Sequence, residues 1–519
     1  MKEVISLAKL ISEQKIEKID LFNNKSSLPY KSRKLYENLV NGSIENLEDA
    51  NRIIYEGADN GKNVKKLISR LKNRMLNTLF FVDQSRSEFT DMRRATHTIA
   101  KSFALINILL ERNEIKTAIS IANKTFNKAL KYEKTDFALF LGRRLYEHYS
   151  IIEPSKQKLN KFKFEVSKLN NILNHELKAE DYYNEISNLY ITKKSKFSES
   201  ELTSMKGKCD ELVCHQDEIQ SFKYNLHTYN LLTSYYILTN DHAKCIEYCT
   251  KALDFFNKKP YDDTISKYMF RNNLILSAIP QRNYDFAEKH TKDNFKILTK
   301  GSHSWYIQCN YQFILLVSQA KYQSLYSLIV EVTLDKNYKK FILQHEYWNV
   351  IEAYVHFLIR MEKVDPSFDS SNRKLRPFSL TRFLNDVPKF SKDKRGLNIS
   401  IIIVQFLFLL LDRKYSKLID RLDAIKQYSY RYLKNDETFR SNLFIKMLLK
   451  VADADFHPIA AARYTKDMHA KLLASNPSAN FQSTEIEVIP YEKLWEIVMD
   501  TQLHIYHTIA YYSTQLNHD

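Results

Sequence analysis

The chain has 519 residues, with 78 Lys and Arg against 61 Asp and Glu, a formal net charge of +17, seven glycines and ten prolines. So few turn-forming residues disfavour folds built on tight β-hairpins and point to helices. Isolated glycines also leave no Gly-rich loop to cradle phosphate, which excludes P-loop and Rossmann nucleotide sites.

The amino-terminal stretch MKEVISLAKLISEQKIEKID sets apolar and charged residues at helical spacing and lacks the continuous apolar core of a signal peptide, so a cytoplasmic location is expected. Short helices are predicted from Leu35 to Val40 and from Asn46 to Tyr55, with turns at Asn41-Gly42-Ser43 and Gly57 to Gly61. A long helix follows from Asn63 to Val82. Val64, Leu67, Leu71, Met75 and Leu79 form its predicted buried stripe, which leaves Lys65, Lys66, Ser69, Arg70, Lys72, Asn73 and Arg74 outside. This order of helices resembles a helix-turn-helix or winged-helix module. The resemblance implies polar side chains in the major groove and basic ones on phosphates, although no β-wing is evident after Val82. The plainer reading of residues 1–90 is a three-helix packing domain whose last helix carries solvated charges.

From about residue 96 the pattern is helix after helix, within a predicted repeat region at 91–363. Polar breaks at Leu110 to Glu114, Leu238 to Asp241, Gln281 to Tyr284, Gln319 to Tyr322 and Asp412 to Tyr415 each divide one apolar helix from the next. The clearest unit runs from Tyr224 to Pro260. Its first helix presents Tyr229, Leu232 and Tyr236 on one stripe, and its second carries Cys245, Cys249 and Ala252 where small or medium residues allow close approach. The unit resembles a tetratricopeptide repeat, with Thr233 where that family usually has glycine. Weaker copies pair Leu105 and Leu109 with Ala118 and Ala122, Leu274 and Ala278 with Ala287, and Leu316 with Leu325. The fold class expected is therefore all-α: an α-solenoid of stacked antiparallel helical hairpins with a small N-terminal helical domain.

Two interruptions are expected, a lysine-rich connection from Pro154 to Phe164 and a loop or hinge over 364–396. Residues 397–519 then read as C-terminal hairpins and a cap. The apolar run Ile399 to Leu411 is too short to span a bilayer and suits a buried helix. Asn476 to Ser483 has loop composition, Glu485 to Ile489 reads as extended, and helix resumes from Tyr491 to Thr514.

No motif in the sequence points to a catalytic, cofactor or metal site. His175-Glu176 and His345-Glu346 lack the second histidine of a zinc protease helix, and no Gly-x-Ser-x-Gly elbow occurs. Cys245 and Cys249 share a helix face but fit core packing, and Cys209, Cys214 and His215 lack a second Cys/His pair at zinc-finger spacing. Asp453 with Asp455 and Asp262 with Asp263 have no supporting histidine. Five cysteines, an odd number, argue against a disulfide framework. The 33 tyrosines and 30 phenylalanines suit both repeat packing and a peptide-binding groove.

The function expected is a non-enzymatic scaffold that binds a protein or peptide partner on its repeats. The alternative is a DNA-binding regulator whose basic N-terminal helix contacts nucleic acid while the repeats sense a partner. The formal charge favours a polyanion, but lysines spread along the whole chain would give the same total without one.

Overall fold

The polar breaks fold into one turn, used repeatedly. Asn113, Glu133, Asn240, Arg282, Ala320, Glu362 and Arg413 all take a left-handed backbone, with φ between 50° and 61°. In each case that residue's N–H donates to the carbonyl three positions back and the next N–H to the carbonyl five back, as in Asn240 to Ile237 (3.1 Å) and Asp241 to Tyr236 (2.9 Å). This pair of hydrogen bonds satisfies carbonyls that a helix end leaves open, which offsets the steric cost of a left-handed L-residue. Six of the seven turns are followed at once by a new helix, starting at Ile115, Thr135, His242, Tyr284, Tyr322 and Tyr415. A connection this short sends the chain back antiparallel.

The computed structural model describes residues 1–13, 30–57, 61–81, 91–192, 197–368, 375–386, 397–432, 439–475 and 487–500. Among them every regular element is helical. Two compact units result, one of Met1–Asn170 with Pro260–Asp263, the other of Asn171–Lys259 with Thr264–Asp519.

The first unit begins with α1 (Lys2–Glu13), α2 (Tyr30–Val40), α3 (Leu47–Tyr55) and α4 (Lys62–Thr78). The side chain of Asn46 caps α3 by accepting from the Asp49 N–H at 2.9 Å, and Glu48 and Asp49 complement the helix dipole there. Gly61, at φ 85°, starts α4. These helices share one core that includes Ala8, Ile11, Leu35, Leu39, Ala50 and Leu71. The module thus has a fourth helix, α1, packed on α4. The buried face of α4 also differs from the predicted stripe: Ile68 and Thr78 are buried, whereas Leu67 and Leu79 are only partly so.

After a 3-10 turn at Leu79–Phe81 come α5 (Asp91–Glu111), α6 (Ile115–Lys131) and α7 (Thr135–Glu147), with α6 packed on α5 and α7 on α6. Small residues set the spacing: a Cβ on Gly142 would lie 3.1 Å from Phe126 Cε2 and 3.3 Å from Val166 Cγ2. A π turn at His148–Ile152 leads into α8 (Lys156–Thr192), within which the division between the units falls. The lysine-rich stretch predicted as a connection is therefore mostly the opening of a 37-residue helix, anchored by buried Phe162, whose ring stacks on Tyr149 at 5.7 Å.

The second unit continues with α9 (Glu199–Cys214), opened by a capping box between Ser198 and Glu201. Helix pairs follow: α10 (Phe222–Leu238) with α11 (His242–Asn257), α12 (Thr264–Ala278) with α13 (Tyr284–Ile297), and α14 (His303–Ser318) with α15 (Tyr322–Thr333). Then come α16 (Ile342–Arg360), a 3-10 turn at Pro366–Phe368, α17 (Leu380–Asp386), α18 (Leu397–Leu411), α19 (Tyr415–Tyr432), α20 (Phe439–Asp453) and α21 (Pro458–Ala474). The apolar run in α18 is almost wholly buried, as expected, and no helix among the described residues is long and apolar enough to cross a membrane. Residues 487–490 are irregular rather than a strand and lead into a helix over 491–500. The predicted loop at Asn476 to Ser483 lies outside the described residues, as do 369–374 and 387–396 of the 364–396 segment, whose described part carries the 3-10 turn at Pro366–Phe368 and α17.

Candidate functional site

The paired helices of the second unit form two rows. First helices touch first helices, α10 on α12 and α12 on α14, and beyond their opening two residues none of the three carries an exposed residue. Second helices keep one solvated face, such as Ala243, Glu247, Thr250 and Asp254 on α11 or Asp285, Lys289, Lys292 and Lys296 on α13. A helix enclosed nearly all round belongs to an inner row.

The repeat residues read from the sequence lie where α10 meets α11. Tyr229, Leu232, Tyr236, Cys245, Cys249 and Ala252 are all buried in one core. Burial holds Tyr229 above the usual phenol range and pushes Tyr236 up to about 12, so both stay neutral. Cys245 and Cys249 bring their Sγ atoms to 3.9 Å, and Cys245 also approaches the Thr233 carbonyl at 3.9 Å. Burial raises the Cys249 thiol far above its ordinary value and that of Cys209 to about 12, which makes both poor nucleophiles. Cys214 is exposed, and His215 packs edge-on against His175 at 4.9 Å. Among the described residues no group of three His, Cys, Asp or Glu side chains could hold a metal ion.

Thr233 is fully buried, and its hydroxyl donates to the Tyr229 carbonyl at 2.8 Å while accepting from Asn273 Nδ2 at 3.2 Å. The hydroxyl so ties one helix pair to the next.

Aligning the pairs on their left-handed turn residues reveals a pattern that the linear sequence conceals. Ten positions before Asn240, Arg282 and Ala320 stand Asn230, Asn272 and Asn310. Each is at most 7% exposed. Three before and four after each lie His227 and Ser234 on α10, Met269 and Leu276 on α12, and Ile307 and Ile314 on α14, spacings that share one helix face. All of these but Ile314 are partly exposed. Asn272 accepts from Asn294 Nδ2 at 2.9 Å, and Asn294 Nδ2 also reaches Gln308 Oε1 at 3.0 Å, bridging α12, α13 and α14. Asn310 donates to Gln344 Oε1 at 3.0 Å, but its own Oδ1 is buried without a partner. Asn230 makes no side-chain hydrogen bond with a described residue.

No family model, curated protein or solved structure matches the chain.

In the first unit, α4 presents Lys65, Lys66, Ser69, Arg70, Asn73 and Arg74 as exposed residues on the face opposite its core contacts. Lys72 stands apart from them: it is partly buried and paired with Glu3 of α1.

Proposed function

We propose that the chain is a non-enzymatic scaffold that binds a protein or peptide partner along the inner row formed by α10, α12 and α14. The observation that carries this reading is the recurrence of asparagine at one position of three successive inner helices, of which Asn230 makes no side-chain hydrogen bond with a described residue. An amide offers a donor and an acceptor in one plane, as a peptide group does, so it pairs with main chain whatever the partner's side chains. Neighbouring helices pack about 8–10 Å apart. An extended peptide rises about 3.3 Å per residue, so amides on successive helices match roughly every third residue of a strand laid across them. Likeness of Tyr224 to Pro260 to a tetratricopeptide repeat supports the same use. We place the protein in the cytoplasm, where its five free thiols would persist.

The test is capture from native lysate, read by mass spectrometry, with the wild-type chain beside Asn230→Ala. That variant deletes an amide with no side-chain hydrogen bond among the described residues, so its fold is expected to persist. A partner captured by the wild type and lost, or at least about tenfold weaker, with the variant supports the reading. An identical captured set at equal affinity contradicts it.

A further inference from the structure

Several lysines outside α4 are matched locally by a carboxylate: Lys206 pairs with Asp210, Lys251 with Glu247, Lys296 with Asp293 and Lys321 with Glu288. Even on adjacent α2, Arg33 pairs with Glu37. From Asn60 to Val82 there is not one Asp or Glu, and Lys65, Lys66 and Arg70 have no acidic partner among the described residues.

The arrangement around the helix is equally specific. At about 100° per residue, Lys65 falls on one edge of the exposed face and Arg70 and Arg74 on the other, with Ser69, Asn73 and Lys66 between them. The opposite side, from Val64 through Ile68 and Leu71 to Met75, is fixed in the four-helix core, so the face is held rigid. Glu3 of α1 is taken up by Lys72, which stands two helical turns from Lys65 and borders that edge of the strip.

We propose that this face of α4 enters the major groove of duplex DNA, with Lys65 against one phosphate rail, Arg70 and Arg74 against the other, and Ser69 and Asn73 toward the base edges. A helix with its side chains is about 10–12 Å across and the groove about 12 Å wide, so cations on both edges reach both backbones at once. An amide and a hydroxyl on the central line supply donors and acceptors of the kind the groove presents. The site is independent of the partner-binding row and stands whether or not that reading holds.

The experiment is fluorescence anisotropy of a labelled mixed-sequence duplex of about 20 base pairs, titrated with the full chain across a salt series. The wild type is expected to bind at low salt with affinity that falls linearly on a log–log plot. The triple variant Lys65→Ala, Lys66→Ala, Arg70→Ala should bind at least about tenfold more weakly, with a slope shallower by about 0.9 for each phosphate it no longer neutralises. A control with Lys206→Ala, Lys251→Ala and Lys296→Ala changes net charge equally and should bind as the wild type does. Circular dichroism confirms that each variant is folded. Absence of low-salt binding, an equal loss in both triple variants, or equal affinity for single-stranded DNA or anionic vesicles would overturn the proposal.

Discussion

Arg440 on α20 grips Glu487, 47 positions later, through two bonds, Nε to Oε2 at 3.0 Å and Nη2 to Oε1 at 2.6 Å. Its Nη1 meanwhile donates to the carbonyls of Leu472 and Ser475 at 3.0 and 2.6 Å, and the Tyr491 N–H donates to Glu487 Oε1 at 2.6 Å. One guanidinium thus holds the end of α21 and the entry to the helix over 491–500. Replacement by methionine would leave a buried carboxylate without its counterion. Arg440→Met is expected to cost about 3–5 kcal/mol in urea unfolding, and a loss below about 1 kcal/mol would show the pair to be dispensable.

The repeated turn should respond in the opposite direction. Ala320 sits at φ 56°, where a side chain is strained and glycine is not. Ala320→Gly should raise stability by roughly 1 kcal/mol, the lower end of the cost of a left-handed L-residue. Thermal unfolding reads it, and a lowered midpoint would mean the turn is held by something other than its backbone bonds.

Asn294 is fully buried and serves two neighbours. Asn294→Ala removes the donor that satisfies Asn272 Oδ1 and Gln308 Oε1, so a loss of about 1–3 kcal/mol is expected. Restored stability in a triple variant with Asn272 and Gln308 also made apolar would identify unpaired polar groups as the cause.

Glu346 on α16 is buried, and burial raises its carboxyl pKa. Its neutral form is therefore favoured in the fold. The stability it contributes is fully present below the unfolded pKa and is lost as pH rises through the higher folded value. Glu346→Gln should unfold at a higher temperature than the wild type at pH 7, with the gap closing as pH falls below the carboxyl range. A pH-independent difference would contradict this origin.

The hairpin breaks are legible in the sequence because a polar stretch of four or five residues between two apolar helices is too short to do more than reverse the chain. Their chemistry is not, because Asn240, Arg282 and Ala320 adopt a conformation for which glycine is the usual signal. The stretch from Pro154 to Phe164 misleads for a related reason: one buried Phe162 among lysines gives α8 too thin an apolar stripe to look helical there. On α4 the choice of Leu67 over Ile68 follows apolar size, whereas rotation of the helix against α1, α2 and α3 decides which is buried. The inner asparagines become a pattern only once the turn residues give each helix a common origin. Contacts such as Arg440 with Glu487 depend on tertiary placement that no local spacing encodes.

The most direct measurement of partner binding is amide hydrogen exchange on the full chain, free and saturated with the captured partner. Protection is expected to rise in α10, α12 and α14, around Asn230, Asn272 and Asn310, and to change little in α11, α13 and α15. Protection confined to the outer row, with the inner helices unchanged, would contradict binding along the asparagine face.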